Sequence, residues 1–352
     1  MKTITIGFTC ATAFGLAISV YGGEPSPNVT IVLGNLLPEE DGSKDASQSP
    51  LRSPFGIDFD TAGNMIIVEL EGGRVHRLSP DGDFYTIAGD GSKSYSGDGG
   101  PALKATFNGM HNVAVAPNDD IYIADSWNHC IRKIDAKSKT ISTIAGTGKA
   151  GYSGDGGPAI EATFNFVMCI TLSPSNDELF IADLNNRRIR AVSLKTAVAR
   201  TVAGNGQRGI PKDDAIAVES PLVDPRAVTV DSKGQVYILE RGGHALRVVS
   251  PDGKIRTVAG TGTKGYADGP ALEAQFASPK HVCTDDKDNL YIADDGNQAI
   301  RKFDPQSSSV TTVVGRRRGK PAVSLKRPHG ICFEQGKLFV VDTGNNRILR
   351  LD

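Results

Sequence analysis

The sequence predicts an all-β fold, namely a six-bladed β-propeller of four-stranded antiparallel blades. Three observations support this prediction. Four short apolar segments recur as a unit along the chain, one segment of every unit ends in an acidic residue, and near-identical glycine-rich segments join several units. Repeat units of about 40–50 residues with several short strands each are typical of propellers.

The second strand of each unit is the clearest marker, because it ends in an acid. Successive acids are separated by 56, 58, 57, 54 and 48 residues. They are Glu69, Asp125, Asp183, Glu240, Asp294 and Asp342. Ile, Val, Tyr and Phe dominate the residues before each acid, as expected for buried strands. We expect the acids to accept N–H bonds from the turn that follows, rather than to form a ring of metal ligands.

Three further strands complete each unit. First strands are predicted at 55–59, 111–115, 169–172, 227–230, 281–283 and 330–333, and third strands directly follow the turn after each acid. Closing strands of the TIAG type occur at 86–89, 143–146, 201–204, 257–260 and 312–315. The sixth unit has no closing strand of its own, but VTIVLG at 29–34 has the same pattern. The N-terminal strand is therefore expected to complete the last blade and close the ring, which leaves no long exposed sheet edge.

A glycine-rich segment is predicted to carry the chain from one blade to the next. The copies read SYSGDGGPA at 94–102, GYSGDGGPA at 151–159 and GYADGPA at 265–271. Glycines permit positive φ, the carboxylates of Asp98 and Asp155 are expected to bind nearby backbone N–H groups, and Pro101 and Pro158 open a short helical turn. One carboxylate per segment is too few for calcium, which takes about 6–8 oxygen ligands. The segment is therefore interpreted as structural.

The repeat units resemble those of a known family. The blocks that carry the resemblance are NLYIADDGNQAIRKFD (289–304), DIYIADSWNHCIRKID (120–135) and GKLFVVDTGNNRILRLD (336–352). They resemble NHL repeats, with Asn128 and His129 in place and Cys130 where leucine is usual. The resemblance covers nearly all of residues 28–352 and implies a six-bladed propeller over that range. It implies little about function, because such propellers include protein binders, RNA binders, extracellular sensor domains and a lyase branch.

The N-terminus is predicted to be a secretory signal peptide over residues 1–22. Lys2 precedes an apolar run that small residues follow, and an uncleaved membrane anchor is the alternative. The remaining chain is expected to be exported, that is periplasmic, extracellular or secreted, without a stable membrane span. Its 39 basic and 40 acidic residues balance, so nucleic acid is not expected as a partner. No disulfide is expected among Cys130, Cys169, Cys283 and Cys332, because strand positions favour buried thiols.

The candidate ligand site lies where the blades differ. The residues that open the first strands are expected at one mouth of the central channel, and they are Phe55, His111, Met168, Arg226, Lys280 and His329. Of these, His111, Arg226, Lys280 and His329 are predicted to bind an anionic small molecule or glycan. The alternative is that they only bond to neighbouring loops. Trp127, Arg316, Arg317 and Arg318 are predicted as rim contacts for a protein partner, whose identity the sequence does not indicate.

An enzymatic function is the alternative to a binding or scaffold module. The lyase branch resembles peptidyl-α-hydroxyglycine α-amidating lyase, which implies three channel histidines around zinc. His111 and His329 match two of them, but His281 is one residue out of register and is expected to point to the other face. No cofactor is therefore expected, neither zinc nor calcium, and no catalytic residue is assigned. A metal-assisted lyase or hydrolase remains the alternative, and the sequence has no nucleophile elbow, phosphate loop or HExxH motif.

Overall fold

The computed structural model describes residues 27–34, 51–315 and 323–352. These residues form six antiparallel sheets, which are the blades of a propeller. The first strand of every blade contacts the first strands of the two neighbouring blades, so the six sheets close into a ring around a central channel. The proposed signal peptide and Arg316, Arg317 and Arg318 lie outside the described residues.

The strands follow the predicted order. Strand β1 is Val29–Gly34. Blade 1 contains β2 (Pro54–Phe59), β3 (Met65–Glu69), β4 (Val75–Leu78) and β5 (Phe84–Ala88). Blade 2 contains β6 (Met110–Val115), β7 (Ile121–Asp125), β8 (Cys130–Ile134) and β9 (Ile141–Ala145). Blade 3 contains β10 (Val167–Leu172), β11 (Glu178–Asp183), β12 (Arg188–Ser193) and β13 (Ala199–Ala203).

The second half of the chain repeats this arrangement with two additions. Blade 4 contains β14 (Ala215–Ile216), β15 (Pro225–Val230), β16 (Val236–Glu240), β17 (Ala245–Val249) and β18 (Lys254–Ala259). Blade 5 contains β19 (Gly269–Pro270), β20 (His281–Thr284), β21 (Leu290–Asp294), β22 (Ala299–Asp304) and β23 (Ser309–Gly315). Blade 6 contains β24 (Pro328–Glu334), β25 (Lys337–Asp342) and β26 (Arg347–Leu351). The two-residue strands β14 and β19 were not predicted; each covers the outer edge of its blade by pairing with β18 or β23.

Short 3-10 turns occupy two places in the repeat. One set lies within the crossovers, at Ala102–Lys104, Ala159–Glu161 and Ala217–Glu219. The other set follows the acid of the second strand, at Ser126–Asn128, Leu184–Asn186, Asp295–Asn297 and Thr343–Asn345. The helical turns predicted after Pro101 and Pro158 are therefore confirmed. No helix of the described residues is long and apolar enough to span a membrane.

The predicted closure of the ring is confirmed. Strand β1 pairs antiparallel with β26, from Val29 opposite Leu351 to Gly34 opposite Arg347, and so forms the outer strand of blade 6. Leu33 is fully buried there, in the apolar cluster between blades 6 and 1. Both ends of the described chain thus meet in one sheet, and the backbone groups of β26 are paired on both sides.

The six acids have a structural role, as predicted, but their partners differ from the prediction. Asp125 accepts the N–H of Asn108 at 2.8 Å, from the segment that leads into the first strand rather than from the turn that follows the acid. The Asn128 side chain in that turn donates to the other carboxylate oxygen at 2.8 Å. The acids of the other blades are bonded in the same way by residues 52, 165, 223, 277 and 326.

A buried arginine on the third strand explains the glycine-rich crossovers. In blade 5, Arg301 is fully buried and contacts Asp294 at 2.9 Å and the crossover residue Asp268 at 2.6 Å. Its guanidinium lies between the rings of Tyr266 and Phe276, with centroid distances of 4.9 and 5.3 Å. Arg132 in blade 2 and Arg190 in blade 3 have the equivalent contacts.

The carboxylates of the crossovers therefore do not bind as predicted. Asp98 bonds to Arg132 and Thr143, and Asp155 bonds to Thr201 and Tyr152 besides its ion pair with Arg190, where backbone N–H partners were expected. The reason is that the guanidinium of the third-strand arginine lies beneath the loop and has five hydrogen-bond donors. The acid of the second strand is its other acidic partner, so the loop carboxylate binds the arginine. The repeated loop thus covers a buried arginine and pairs with it, which confirms the structural interpretation of the loop.

The glycine that ends each closing strand is required by close backbone contact. At Gly204, φ is +92° and an added Cβ would lie 2.1 Å from the carbonyl oxygen of Arg187. Any other residue would have to displace the turn that precedes the third strand, besides adopting an unfavourable φ. The final glycine of the TIAG motif is therefore a packing requirement of the blade.

Candidate functional site

The crossover mouth is the end of the channel at which the crossovers enter the first strands. The predicted mouth residues lie there, at or just before the second position of each first strand. In blades 1 to 4 and 6 the pairing between the first and second strands shifts at this point, so each of these residues belongs to a β-bulge. A bulge re-aims a side chain, and here it turns these side chains toward the channel.

The mouth is closely packed rather than open. Phe55, His111, Met168, Arg226 and His329 are each at most 5% exposed. The Phe55 ring contacts the rings of His329 and His111, with centroid distances of 3.6 and 4.8 Å. The site therefore consists of side chains from blades 1, 2, 4 and 6 in mutual contact, with Lys280 of blade 5 partly exposed above them.

Arg226 is a buried cation that has no carboxylate partner within residues 27–34, 51–315 and 323–352. Its Nη2 donates to Nε2 of His329 at 2.8 Å, across the channel from blade 4 to blade 6. Its Nε and Nη1 atoms are buried and have no hydrogen-bond partner. Burial lowers the pKa of Arg226 to about 9, with Arg241 adding to the effect, so the group is still protonated at neutral pH. By contrast, the buried third-strand arginines all face an acid.

The three channel histidines are neutral. Burial, followed by the charge of Arg226, lowers the pKa of His329 and His111 well below 6.5 and that of His281 to about 4. Since Nε2 of His329 accepts from Arg226, the proton of this ring lies on Nδ1, which is buried and has no partner. Among the residues that the structure describes, two buried donor atoms of Arg226 and one of His329 thus have no hydrogen-bond partner.

The position of His281 corrects a prediction. It was expected to point to the other face, but it lies in the channel, where Nε2 contacts the Asn112 amide at 3.0 Å and the Cys169 thiol at 3.7 Å. Its ring is 6.2 Å from that of His329. In blade 5, Lys280 precedes β20 and donates its backbone N–H to Ala293, the residue that pairs with His281, so both residues lie opposite Ala293 and His281 does not follow an alternation counted from Lys280. Asn112 belongs to the blade opposite His281, so their contact forms a floor across the channel.

These histidines do not form a metal centre. Among residues 27–34, 51–315 and 323–352, no three His, Cys, Asp or Glu side chains are grouped closely enough to hold a metal ion. The guanidinium of Arg226 also occupies Nε2 of His329, at 2.8 Å, so this ring nitrogen is not free to bind a cation. The arrangement of His111, His281 and His329 therefore gives no support to the zinc-dependent alternative.

The surroundings of the mouth carry both charges. Lys280 lies 3.7 Å from Asp295, and Arg241 lies 3.5 Å from Asp224. Burial and the charge of Arg226 lower the pKa of Lys280 to about 8. These two bases are partly exposed and already have acidic partners, which leaves Arg226 as the buried, unneutralised charge.

Trp127 packs into the rim of the mouth. It is partly buried, and an added Cβ at Gly109 would lie 2.4 Å from its ring, so the glycine makes room for the indole. The rings of Trp127 and His111 have centroids 6.4 Å apart, and Lys93 lies 5.9 Å above the indole. The predicted role of Trp127 as a protein contact remains a prediction.

The opposite end of the channel contains a site that the sequence did not predict. A cavity of about 250 Å³ extends from the floor at Asn112 and His281 to the turn at 173–176. We call this end the hairpin mouth, because turns between first and second strands surround it. Asp58 and the thiols of Cys283 and Cys332 lie on its wall. All four cysteines of the described chain are free, as predicted, and the strand pattern alone did not reveal that three of them share one cavity.

Known proteins share this architecture. The profile of the teneurin NHL domain matches residues 35–135, and that of the NHL repeat matches residues 325–351. NHL repeat-containing protein 2 of Bos taurus is 28% identical over 347 residues, which cover 86% of this chain and 47% of that protein. Protein SUPPRESSOR OF QUENCHING 1, chloroplastic, of Arabidopsis thaliana is 26% identical over 358 residues, or 96% of this chain and 33% of that protein. The chain thus spans a third to about half of these relatives.

A solved structure shows the same fold. It is described as an auxiliary nutrient binding protein from Bacteroides thetaiotaomicron and superimposes with a TM-score of 0.65 at 15% identity. The match covers 92% of this chain and 76% of that one. At this identity, the similarity concerns the arrangement of the blades and not the residues of the mouth.

Proposed function

This chain is an NHL-repeat six-bladed β-propeller, and we propose that it is an exported binding module that captures an anionic ligand at the crossover mouth. Arg226 is the central contact, His329 a second donor, and Lys280 the outer guide for negative charge. His111 lies at the same mouth, with its ring beside those of Phe55 and His329. The ligand class is a small molecule or glycan that carries a carboxylate, sulfate or phosphate group, because oxygen anions accept bonds from guanidinium forks.

The observation that carries this proposal is the unpaired state of Arg226. A buried charge without a counter-ion costs several kcal/mol, so proteins retain such groups rarely and mainly at functional sites. An anion would accept from one of the buried donor atoms Nε and Nη1 of Arg226 and Nδ1 of His329, which have no partner among the residues that the structure describes. The same donors cannot serve a cation or an uncharged apolar ligand.

Two further points support the proposal. The N-terminal sequence has the pattern of a secretory signal, and an exported propeller meets small molecules, glycans and other proteins outside the cell. The structurally similar nutrient binding protein is described by binding rather than by catalysis.

Titration calorimetry with sodium sulfate, sodium phosphate and sodium acetate at constant ionic strength tests this proposal. We expect at least one of these anions to bind, and Arg226→Met to weaken it about tenfold or more, since a charge-assisted bond contributes about 1.5–3 kcal/mol. Lys233→Met removes an exposed lysine near the hairpin mouth and should leave binding unchanged. The assignment would be contradicted if Arg226→Met bound the anion as tightly as the native protein, or if Lys233→Met lost as much affinity as Arg226→Met.

Anion affinity should also depend on the charge of Lys280. Its pKa of about 8 means that the ammonium group loses its proton within the accessible pH range. We expect affinity to fall between pH 7 and pH 9 in the native protein, and to fall much less steeply in Lys280→Met. The measurement is the same titration repeated at several pH values. A pH profile that is unchanged in Lys280→Met would remove Lys280 from the site.

The unliganded protein should gain stability when Arg226 is replaced. Arg226→Met keeps most of the side-chain volume and removes a buried charge that has no carboxylate partner, so we expect the free energy of unfolding to rise by about 1–2 kcal/mol. Urea denaturation measures the change. The variant also loses the hydrogen bond from Arg226 to His329, which lowers the expected gain in stability by about 1 kcal/mol. A large destabilisation would show that Arg226 has a structural role instead.

A further inference from the structure

The cavity at the hairpin mouth is chemically distinct from the crossover mouth. Its volume is about 250 Å³, enough for a small organic molecule, and the contact between Asn112 and His281 separates it from the site around Arg226. No lysine or arginine lines it among the residues that the structure describes, and Asp58 is its one carboxylate. The remaining lining consists of the His281 imidazole, thiols, hydroxyls, amides and aliphatic groups.

The carboxylate of Asp58 has hydrogen-bond donors but no counter-charge among the residues that the structure describes. It accepts the N–H of Val115 at 2.7 Å, from the neighbouring blade, and the N–H of Phe59 at 2.9 Å. The thiol of Cys332 lies 3.6 Å from the same oxygen that accepts from Phe59. These contacts hold the carboxylate in place on the cavity wall without neutralising it.

The environment of this carboxylate favours a positive ligand. Burial, and to a smaller degree the charge of Glu334, raises the pKa of Asp58 to about 6. The group is therefore mostly ionised at pH 7.5, although its surroundings disfavour the charged form. Burial, and then the charge of Asp286, raises the pKa of Glu334, so acidic groups lie close together at this mouth. A cation beside Asp58 would offset both the burial and the repulsion.

The wall of the cavity favours an organic cation, and no three His, Cys, Asp or Glu side chains of the described residues are grouped closely enough to hold a metal ion. Burial raises the pKa of the Cys283 and Cys332 thiols well above their usual range, so they are not thiolates at neutral pH. A single carboxylate supplies too few ligands for calcium or magnesium. An ammonium group needs only one carboxylate and two or three acceptors, and its short alkyl part fits the aliphatic lining.

We propose that the hairpin-mouth cavity binds a small organic cation, a primary amine, through the carboxylate of Asp58. The ammonium group pairs with Asp58 and donates to the hydroxyls that line the cavity, such as Thr171 and Thr229. The propeller thus offers two sites of opposite charge preference at the two ends of one channel. This site does not depend on the proposed role of Arg226.

Ligand-observed NMR with n-butylamine, 1-butanol and sodium butyrate at pH 7.5 tests the proposal with three probes of similar size. We expect butylamine to bind in preference to the other two, and Asp58→Asn to weaken it at least tenfold. Asp81→Asn removes an exposed acid in the turn between β4 and β5 and should have no effect. The proposal would be overturned if butanol or butyrate bound as tightly as butylamine, or if Asp58→Asn kept the full affinity for butylamine.

The native protein provides a second test that needs no variant at Asp58. Butylamine stays protonated below pH 8, so its affinity should fall about fivefold or more between pH 7.5 and pH 5 as Asp58 gains a proton. The groups that face Asp58 are Cys332 and Cys283, which stay neutral, and Glu334, which titrates in the same direction. Affinity that is constant over this range would contradict the assignment. Butylamine should still bind to Arg226→Met, which separates this site from the crossover mouth.

Discussion

Replacing Arg301 by methionine should destabilise the propeller by about 3–5 kcal/mol. The arginine is fully buried and contacts Asp294, which is also fully buried, and its removal leaves that carboxylate without a counter-charge. Asp268 at the surface would also lose its ion pair with Arg301, and this ion pair anchors the crossover into blade 5. Chemical denaturation at pH 7, followed by tryptophan fluorescence and circular dichroism, measures the loss.

An exposed ion pair provides the matched control. Arg200 forms a 2.8 Å contact with Glu178, but its side chain is 48% exposed, so Arg200→Met should cost less than about 1 kcal/mol. Adding Asp294→Asn to Arg301→Met should recover part of the loss, because it removes the uncompensated charge. Similar costs for Arg301→Met and Arg200→Met would show that the buried pair does not anchor the blade.

Deleting the chain up to Gly34 should open the ring and abolish cooperative unfolding. Strand β1 is the outer strand of blade 6, and without it β26 would present unpaired N–H and C=O groups along its length. The apolar cluster between blades 6 and 1 would lose Leu33 and Val32. We expect a shortened protein that associates through β26, detected by light scattering, with a broad denaturation curve.

Two further experiments separate loss of pairing from loss of packing. A synthetic peptide that covers residues 27–34 should bind to the shortened protein and restore the sharp transition, as an added strand does at a free sheet edge. In the full chain, Leu33→Ala should cost about 2–5 kcal/mol, whereas Thr30→Ala, at an exposed position of the same strand, should cost less than about 1 kcal/mol. A shortened protein that remains monomeric and unfolds cooperatively would contradict the role of β1.

Much of the fold was predictable because each blade repeats the same local rules. Two local patterns identified the six blades and the closing role of Val29–Gly34. The strands are rich in β-branched and aromatic residues and end in an acid, and glycine-rich turns separate them. The structural interpretation of the acids and of the crossover loops was also correct. Local sequence did not identify their partners, because Asp98 reaches Arg132, which lies 34 residues further along the chain, and several loops lie between them.

The candidate sites were predictable only in part, for a physical reason. The sequence determined which residues open the first strands, and so placed Arg226 and His329 at one end of the channel. It could not determine that they meet, since they are 103 residues apart and come from different blades. The tertiary structure decided three things: that Arg226 has no acid paired with it among the described residues, that His281 turns into the channel, and that no described lysine or arginine lines the cavity beside Asp58. Each depends on which side chains the closed ring brings together, and on the bulges that interrupt strand alternation, so no single repeat contains the information.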